Sequence, residues 1–437
     1  MSTVLPTTAK PESNILPMAI IGLLFFIFGF VTWLNGSLIP FLKIICDLND
    51  FQALFVTFAF YISYFVMALP MASVLKRTGY KNGMALGLFI MTIGTLSFIP
   101  AAYSANYILF LIALFILGTG LTILQTASNP YVVLIGPNES AAMRISIMGL
   151  INKGAGVAVP LIFTALILSD QGDTSEQALS ALTADQLSEL SSRLVVPYLY
   201  MSAALVFLIG LVKFSSLPEI EPELEQSSGD SAANKTSILD YPQAILGSIA
   251  LFAYVGVEVI AGDTIGLFGA DLGVEHFATL TSYTMAFMVV GYLIGVTCIP
   301  KLLSQQKALI GSGIAGILCI FGVLFSSITS TTLSSIVWGW AGIPVIPDPV
   351  FFVALMGLAH ALVWPSVWPL ALQGLGKFTA QGSALLIMGI AGGAILPLVF
   401  GYLADSSSDM QSSYWVALPC YLFILFYAVK GHKMRNW

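Results

Sequence analysis

The chain has 437 residues, of which 57% are hydrophobic and only 9% charged, with a mean hydropathy of +0.92. So few charges cannot cover a soluble surface of that size, which excludes an ordinary soluble domain and points to a polytopic membrane protein. The net charge of −6 marks no partner, because the surplus acid gathers in two solvated stretches, Asp170 to Glu189 and "PEIEPELEQSSGD".

Apolar runs of about 20 residues, the length that crosses ~30 Å of hydrocarbon, recur along the whole chain. In order they are Leu16 to Ile45, Phe51 to Leu75, Asn82 to Ala102, Ala105 to Ile135, Met143 to Leu168 and Leu194 to Phe214 in the first half. Tyr241 to Phe268, Phe277 to Pro300, Ala308 to Ser327, Val350 to Leu372, Gln381 to Leu403 and Tyr414 to Val429 follow in the second. The first run follows a polar stretch without a small-residue cleavage site and is too long for a signal h-region, so it is expected to be a retained helix. Of the 16 Lys and Arg, all but Lys43, Arg193 and Lys153 fall on the side that carries both termini. By the positive-inside rule both termini are expected in the cytoplasm, which requires an even number of crossings.

The acidic, Pro- and Ser-rich stretch at mid-chain has the composition of a flexible linker. The expected organisation is therefore a six-helix bundle over 1–216, a linker over 217–240 and a second bundle over 241–437. The halves resemble each other: "INKGAGVAVPLIFTAL" aligns with "MGIAGGAILPLVFGYL", setting Gly154, Gly156 and Pro160 over Ala391, Gly393 and Pro397. Asn129-Pro130 likewise corresponds to Trp364-Pro365. The fold class read from this pattern is all-α, with twelve transmembrane helices in two parallel repeats. Such repeats place a substrate site near the midplane and alternate its access by rocking one half against the other.

"LKRTGYKNG", after the second run, resembles the basic glycine-containing loop of the major facilitator superfamily. "FFIFGFVTWLNGSLIPFLK", "LQTASNPYVVLIGP", "GLAHALVWPSVWPLAL" and "GLGKFTAQGSALLIMGIAGGAILPLVFGYLAD" together resemble its fucose permease family of sugar symporters, and within it the glucose/galactose permease branch. The resemblance implies a hexose transporter of a bacterial inner membrane. Two positions depart from the proton-coupled pattern, which has an aspartate where this chain has Gly36 and a glutamate where it has Gln125. An amide does not titrate, so neither position can carry a proton. The glucose/galactose branch is associated with sodium-dependent uptake, so the resemblance implies Na⁺ as coupling ion, with H⁺ symport or uncoupled transport as alternatives. A sugar-sensing receptor that binds without translocating is the reading from a different class.

A sugar ring offers hydroxyls that both donate and accept, together with apolar C–H faces, and amides with flat aromatic rings suit it. Gln125 and Asn129 stand at i and i+4, with Thr122 one turn before, and Asn35 and Asn152 are expected at comparable depth. Opposite them, His360, Trp364 and Trp368 at i, i+4 and i+8 predict a wall in the second half. Each amide must face the interior, because an unsatisfied one in hydrocarbon costs several kcal/mol. Helix ties and core packing are the plainer roles for these residues, and for His360 a satisfied intramembrane hydrogen bond is the plainer role. Trp338 and Trp340 read as interfacial aromatics.

Three charges lie within the spans. Lys153 is about ten residues, or ~15 Å, into the fifth run, which is near the midplane. Glu258 is expected at similar depth, and Asp263 nearer the outer face. Intramembrane charges are expensive and usually paired or functional. In one reading Lys153 pairs with Glu258 across the halves; in another a carboxylate, Glu258 or Asp263, coordinates Na⁺ while Lys153 donates to a sugar hydroxyl. A water-exposed Asp263 is the plainer alternative. Cys46, Cys298, Cys319 and Cys420 lack metal spacing and are expected as packing thiols. No phosphate loop, metal cluster or nucleophile pattern suggests a pump or an enzyme.

Overall fold

The computed structural model describes residues 15–134, 141–168, 176–215, 217, 237–299, 302–407 and 409–437. Among them the structure is all-helical, and twelve helices are long and apolar enough to cross a membrane. These are α1 Leu16–Ile45, α2 Asp50–Leu75, α3 Arg77–Ser104, α4 Tyr107–Asn129, α5 Met143–Ile167 and α6 Ala184–Phe214. The second half comprises α7 Pro242–Asp263, α8 Phe277–Cys298, α9 Gln305–Phe325, α10 Asp348–Leu372, α11 Gln381–Ser407 and α12 Met410–Lys433. An even number of crossings puts the first described residue and the chain's end on one face, here the terminal face; the opposite face is the distal one.

Large apolar side chains such as Leu166, Phe207, Phe214 and Leu318 project outward, as surfaces bathed in lipid do. Most of the expected linker, residues 218–236, lies outside the described residues. The acidic loop is more ordered than its composition predicts: Glu176–Ser180 and Ala184–Ser192 are helical, and a reciprocal cap between Thr183 and Gln186 starts the latter. The basic connection from α2 into the start of α3 is short, because Gly79 at φ 74 adopts a positive-φ conformation and redirects the chain within one residue. Trp340 is exposed as an interfacial aromatic would be, whereas Trp338 is buried against Tyr283 and Phe351 and donates to the Pro344 carbonyl. All four cysteines are free thiols.

Interruptions in α1, α7 and α10 bear on the site, and each has a local cause. α1 breaks at Leu34, between segments Ile15–Trp33 and Asn35–Ile45. Pro40, which has no N–H, leaves the Gly36 carbonyl without its helical donor just beyond that break. α10 breaks between Asp348–His360 and Val363–Leu372, where Pro365 cannot donate to Ala361. α7 ends at Asp263 and resumes as Ile265–Asp271. No proline is involved there; hydroxyls do the work, with Thr284 donating to the Ala261 carbonyl at 3.2 Å and Thr281 to the Gly262 carbonyl at 2.7 Å. In hydrocarbon such substitutes make a broken helix tolerable.

The two halves meet closely on the distal side. Ser37 of α1 donates to the Ala278 carbonyl of α8 at 2.7 Å, and the Phe51 N–H donates to Asp405 at 3.2 Å. Gly401 lets α11 approach the backbone of Phe51, since a Cβ there would stand 3.1 Å from its Cα. Nearer the midplane Ser282 of α8 donates to the Val157 carbonyl of α5 at 2.7 Å. The distal face is thus sealed, and the space between the halves lies on the terminal side.

Candidate substrate cavity between the halves

The cavity draws its lining from both halves: Phe25, Phe28, Trp33, Tyr61, Tyr64, Gln125, Asn129, Asn152 and Lys153 from the first, and Tyr254, Glu258, Tyr292, Trp364 and Ile390 from the second. Its internal volume is about 140 Å³, below the ~300–1,000 Å³ typical of small-molecule sites. The lining residues come from the middle and terminal-side portions of their helices, so the cavity opens toward the terminal face.

Lys153 and Glu258 stand at its centre. Nζ of Lys153 donates to Oε1 of Glu258 at 2.6 Å, joining α5 to α7, and both residues are buried. The ammonium also lies 4.2 Å from the centroid of the Trp33 ring, a cation–π contact in a desolvated setting. Trp33 in turn donates to Oδ1 of Asn152 at 3.4 Å, and Asn152 donates to the Phe25 carbonyl. Gln125, in the cavity lining, donates to the Tyr64 hydroxyl at 3.0 Å. Trp364 presents one wall, backed by Trp368 in a stacked pair with centroids 5.3 Å apart.

Gln125, Asn129, Asn152, Lys153, Glu258 and Trp364 therefore converge on one space. His360, Asn35 and Thr122 do not join them, and Asp263 lies apart, as its expected position nearer the outer face implies. His360 is fully buried and shares a hydrogen bond with the Tyr421 hydroxyl of α12, their rings stacked at 5.8 Å. The break in α10 separates it from Trp364, so the i, i+4 relation that predicted a common wall does not hold across that point. Asn35 begins the second segment of α1 and is 2% exposed, distal to the cavity. Asp263 is fully buried rather than exposed to outer water, and accepts from the Thr57 hydroxyl at 3.1 Å. Thr122 turns to its own helix and donates to the Gly118 carbonyl.

The aromatic share of the lining was missed in the sequence: Trp33, Tyr61, Tyr64, Tyr254 and Tyr292. The spacing "YISY" puts Tyr61 and Tyr64 on one face of α2, and buried phenol hydroxyls in hydrocarbon need partners. That was a legible signal of an interior polar surface.

A twelve-helix chain with a polar cavity between two parallel halves has the architecture of a secondary transporter. The chain belongs to the Major Facilitator Superfamily, whose sequence profile matches residues 21–390. It is 34% identical over 448 residues to a glucose/galactose transporter of Brucella abortus, covering 99% of this chain and 100% of that protein. The L-fucose-proton symporter of Escherichia coli is 26% identical over 429 residues, with 96% of this chain and 94% of the relative covered. A crystal structure of the transporter FucP in the outward conformation overlays with a TM-score of 0.71 at 24% identity, covering 95% of this chain and 99% of that one, which supports the fold. Within the superfamily the chain is a multi-pass membrane protein similar over nearly its whole length to proteins named glucose/galactose transporter and L-fucose-proton symporter.

Proposed function

We propose that this protein imports a hexose, glucose or galactose, by Na⁺ symport with alternating access. It would sit in a bacterial inner membrane with both termini in the cytoplasm, its halves 1–216 and 241–437 rocking about the linker 217–240. The observation that carries the reading is the convergence of the amides Gln125, Asn129 and Asn152 with the Lys153–Glu258 pair and aromatic faces around one cavity. Amides and the ion pair answer sugar hydroxyls, and Trp364 answers the C–H face of the ring. The name of the Brucella relative supports the hexose class. Sodium is favoured by the absence of a titratable group at Gly36 and Gln125.

H⁺ symport through Glu258 or Asp263 is the second reading, supported by the relative named as a proton symporter and by a carboxylate at 263 sealed from water. The test is uptake of labelled glucose by proteoliposomes under an inward Na⁺ gradient, with a proton gradient alone as the matched arm. Accumulation above the external concentration with Na⁺ alone supports sodium symport. Accumulation with protons alone replaces it with the second reading. Counterflow without accumulation in either arm indicates a facilitator, and binding without counterflow a receptor.

A further inference from the structure

Distal to the cavity, where α1 and α7 are both interrupted, lies a second polar cluster that takes no part in lining the sugar space. Asp263 closes the first segment of α7 and is 0% exposed. Its Oδ2 accepts from Thr57 of α2, but its Oδ1 has no hydrogen-bond partner, and no ion pair to it is formed among the described residues. Asn35, 2% exposed at the α1 break, has an amide end that is also without a partner.

The two breaks touch backbone to backbone. A Cβ on Gly36 would stand 2.8 Å from the Gly262 carbonyl oxygen, and one on Gly266 would stand 3.2 Å from the Gly36 carbonyl that Pro40 leaves free. The neighbourhood is therefore rich in oxygen: a carboxylate, the Thr57 hydroxyl, the Gly36 carbonyl and the negative end of the α7 segment. It is poor in positive charge. A lone carboxylate sealed among acceptors in hydrocarbon is untenable as a bare anion and has to be neutralised from outside. Glu258 differs, because Lys153 neutralises it within the fold.

We propose that Asp263, with Thr57 and the oxygens of the α1 break, is the coupling-cation site. It takes up a monovalent cation, Na⁺ or H⁺, and neutralisation of Asp263 lets the distal segments of α1 and α7 seal. This deepens the symport reading and rests on it. Trp33 links the two levels, since its ring lines the sugar cavity and also packs on Gly262, next to Asp263, where a Cβ would be 2.6 Å away. An uncompensated Asp263 holds water at the junction and keeps the distal side open. Its neutralisation closes that junction over the Trp33 ring, so cation and sugar are enclosed by the same movement.

The test uses full-length protein in proteoliposomes, unsubstituted and as Asp263→Asn and Thr57→Val. Glucose counterflow without an ion gradient is compared with uptake driven by Na⁺ or by protons, and the two driven arms distinguish the cations. Asp263→Asn, a permanently neutral site, is expected to keep sugar counterflow and lose gradient-driven accumulation in both arms. Thr57→Val is expected to raise the half-saturating Na⁺ concentration roughly tenfold, as loss of a supporting ligand does, or to shift the proton arm to more acid pH. Accumulation that survives Asp263→Asn overturns the proposal, as does loss of cation dependence in Glu258→Gln with Asp263→Asn unaffected. Should Asp263→Asn fail to fold, an unchanged cation dependence in Thr57→Val overturns it. Failure of both gradients to drive the unsubstituted protein would instead sink the symport reading. In that case Na⁺-dependent thermal stabilisation, present in the unsubstituted protein and absent in Asp263→Asn, still decides the site.

Discussion

Two carboxylates on one helix, Glu258 and Asp263, are both buried in the span and meet opposite environments. Glu258 is held by Lys153 at 2.6 Å beside a polar cavity; Asp263 has one hydroxyl donor and an oxygen with no partner. A paired charge is satisfied within the fold, and its neighbours can be built around it. An unpaired one makes the closure of its surroundings conditional on something arriving. The same interface therefore carries a fixed element at the level of the cavity and a conditional one at the distal junction.

The sharpest way to break that contrast is to unpair Glu258. Lys153→Met leaves a buried carboxylate uncompensated, which costs about 3–5 kcal/mol. Thermal unfolding in detergent is expected to show a large loss of stability, with counterflow abolished. Adding Glu258→Gln to Lys153→Met is expected to restore most of the stability while leaving counterflow absent, because the cavity still lacks its charged pair. A double variant as unstable as the single one would show that the pair is not self-contained.

The distal junction is tested next at Gly36, where a Cβ would stand 2.2 Å from the Thr281 hydroxyl and 2.8 Å from the Gly262 carbonyl. Gly36→Val overpacks this contact at a cost of about 1–3 kcal/mol, and that cost falls on the sealed state alone. Uptake is expected to fall by roughly tenfold or more. Maleimide labelling of Ser37→Cys on a cysteine-free background should rise in parallel, since Ser37 is fully buried when the junction is closed.

The twelve crossings and the parallel halves were legible, because hydrocarbon imposes long apolar runs that survive any detail of packing. So was the meeting of Gln125, Asn129, Asn152, Lys153 and Glu258, since polar groups in a span have few places to go. The breaks in α1, α7 and α10 were not. Glycine and proline are common in membrane helices, and whether they interrupt the helix depends on neighbours that supply replacement hydrogen bonds, here Thr281 and Thr284 from another helix. Two of the residues expected at the cavity wall but found outside it sit at such a break, His360 just before one and Asn35 just after another.

A smaller effect is expected at the cavity wall. Trp364→Ala removes one aromatic face while leaving the amides and the ion pair, at a cost of about 1–2 kcal/mol in sugar binding. The half-saturating sugar concentration in counterflow should rise roughly tenfold with little change in stability. Trp368→Ala, behind it in the stacked pair, should produce a weaker shift in the same direction. Equal effects would mean that Trp364 is packing rather than contact.

The smallest effect concerns the distal surface itself. Asp271, the last residue of the distal segment Ile265–Asp271, has its carboxyl raised above the ordinary value of 3.8 by partial desolvation, with Asp50, Glu176 and Asp409 adding to the rise and Lys43 opposing it. Lys43 is already engaged by Asp50 at 2.7 Å and Glu176 at 3.1 Å, which leaves Asp271 facing a surplus of negative charge. Because the sealed arrangement holds the Asp271 proton more tightly than an open one would, that contribution to sealing is fully present below the ordinary carboxylate value. It is lost as pH rises through the raised one. Labelling of Ser37→Cys should therefore increase from mildly acid pH toward neutrality, and Asp271→Asn should flatten the increase. The change should stay within about threefold, since Asp271 is exposed and screened by solvent. A steep pH dependence that survives Asp271→Asn would locate the responsible proton deeper in the junction, at Asp263.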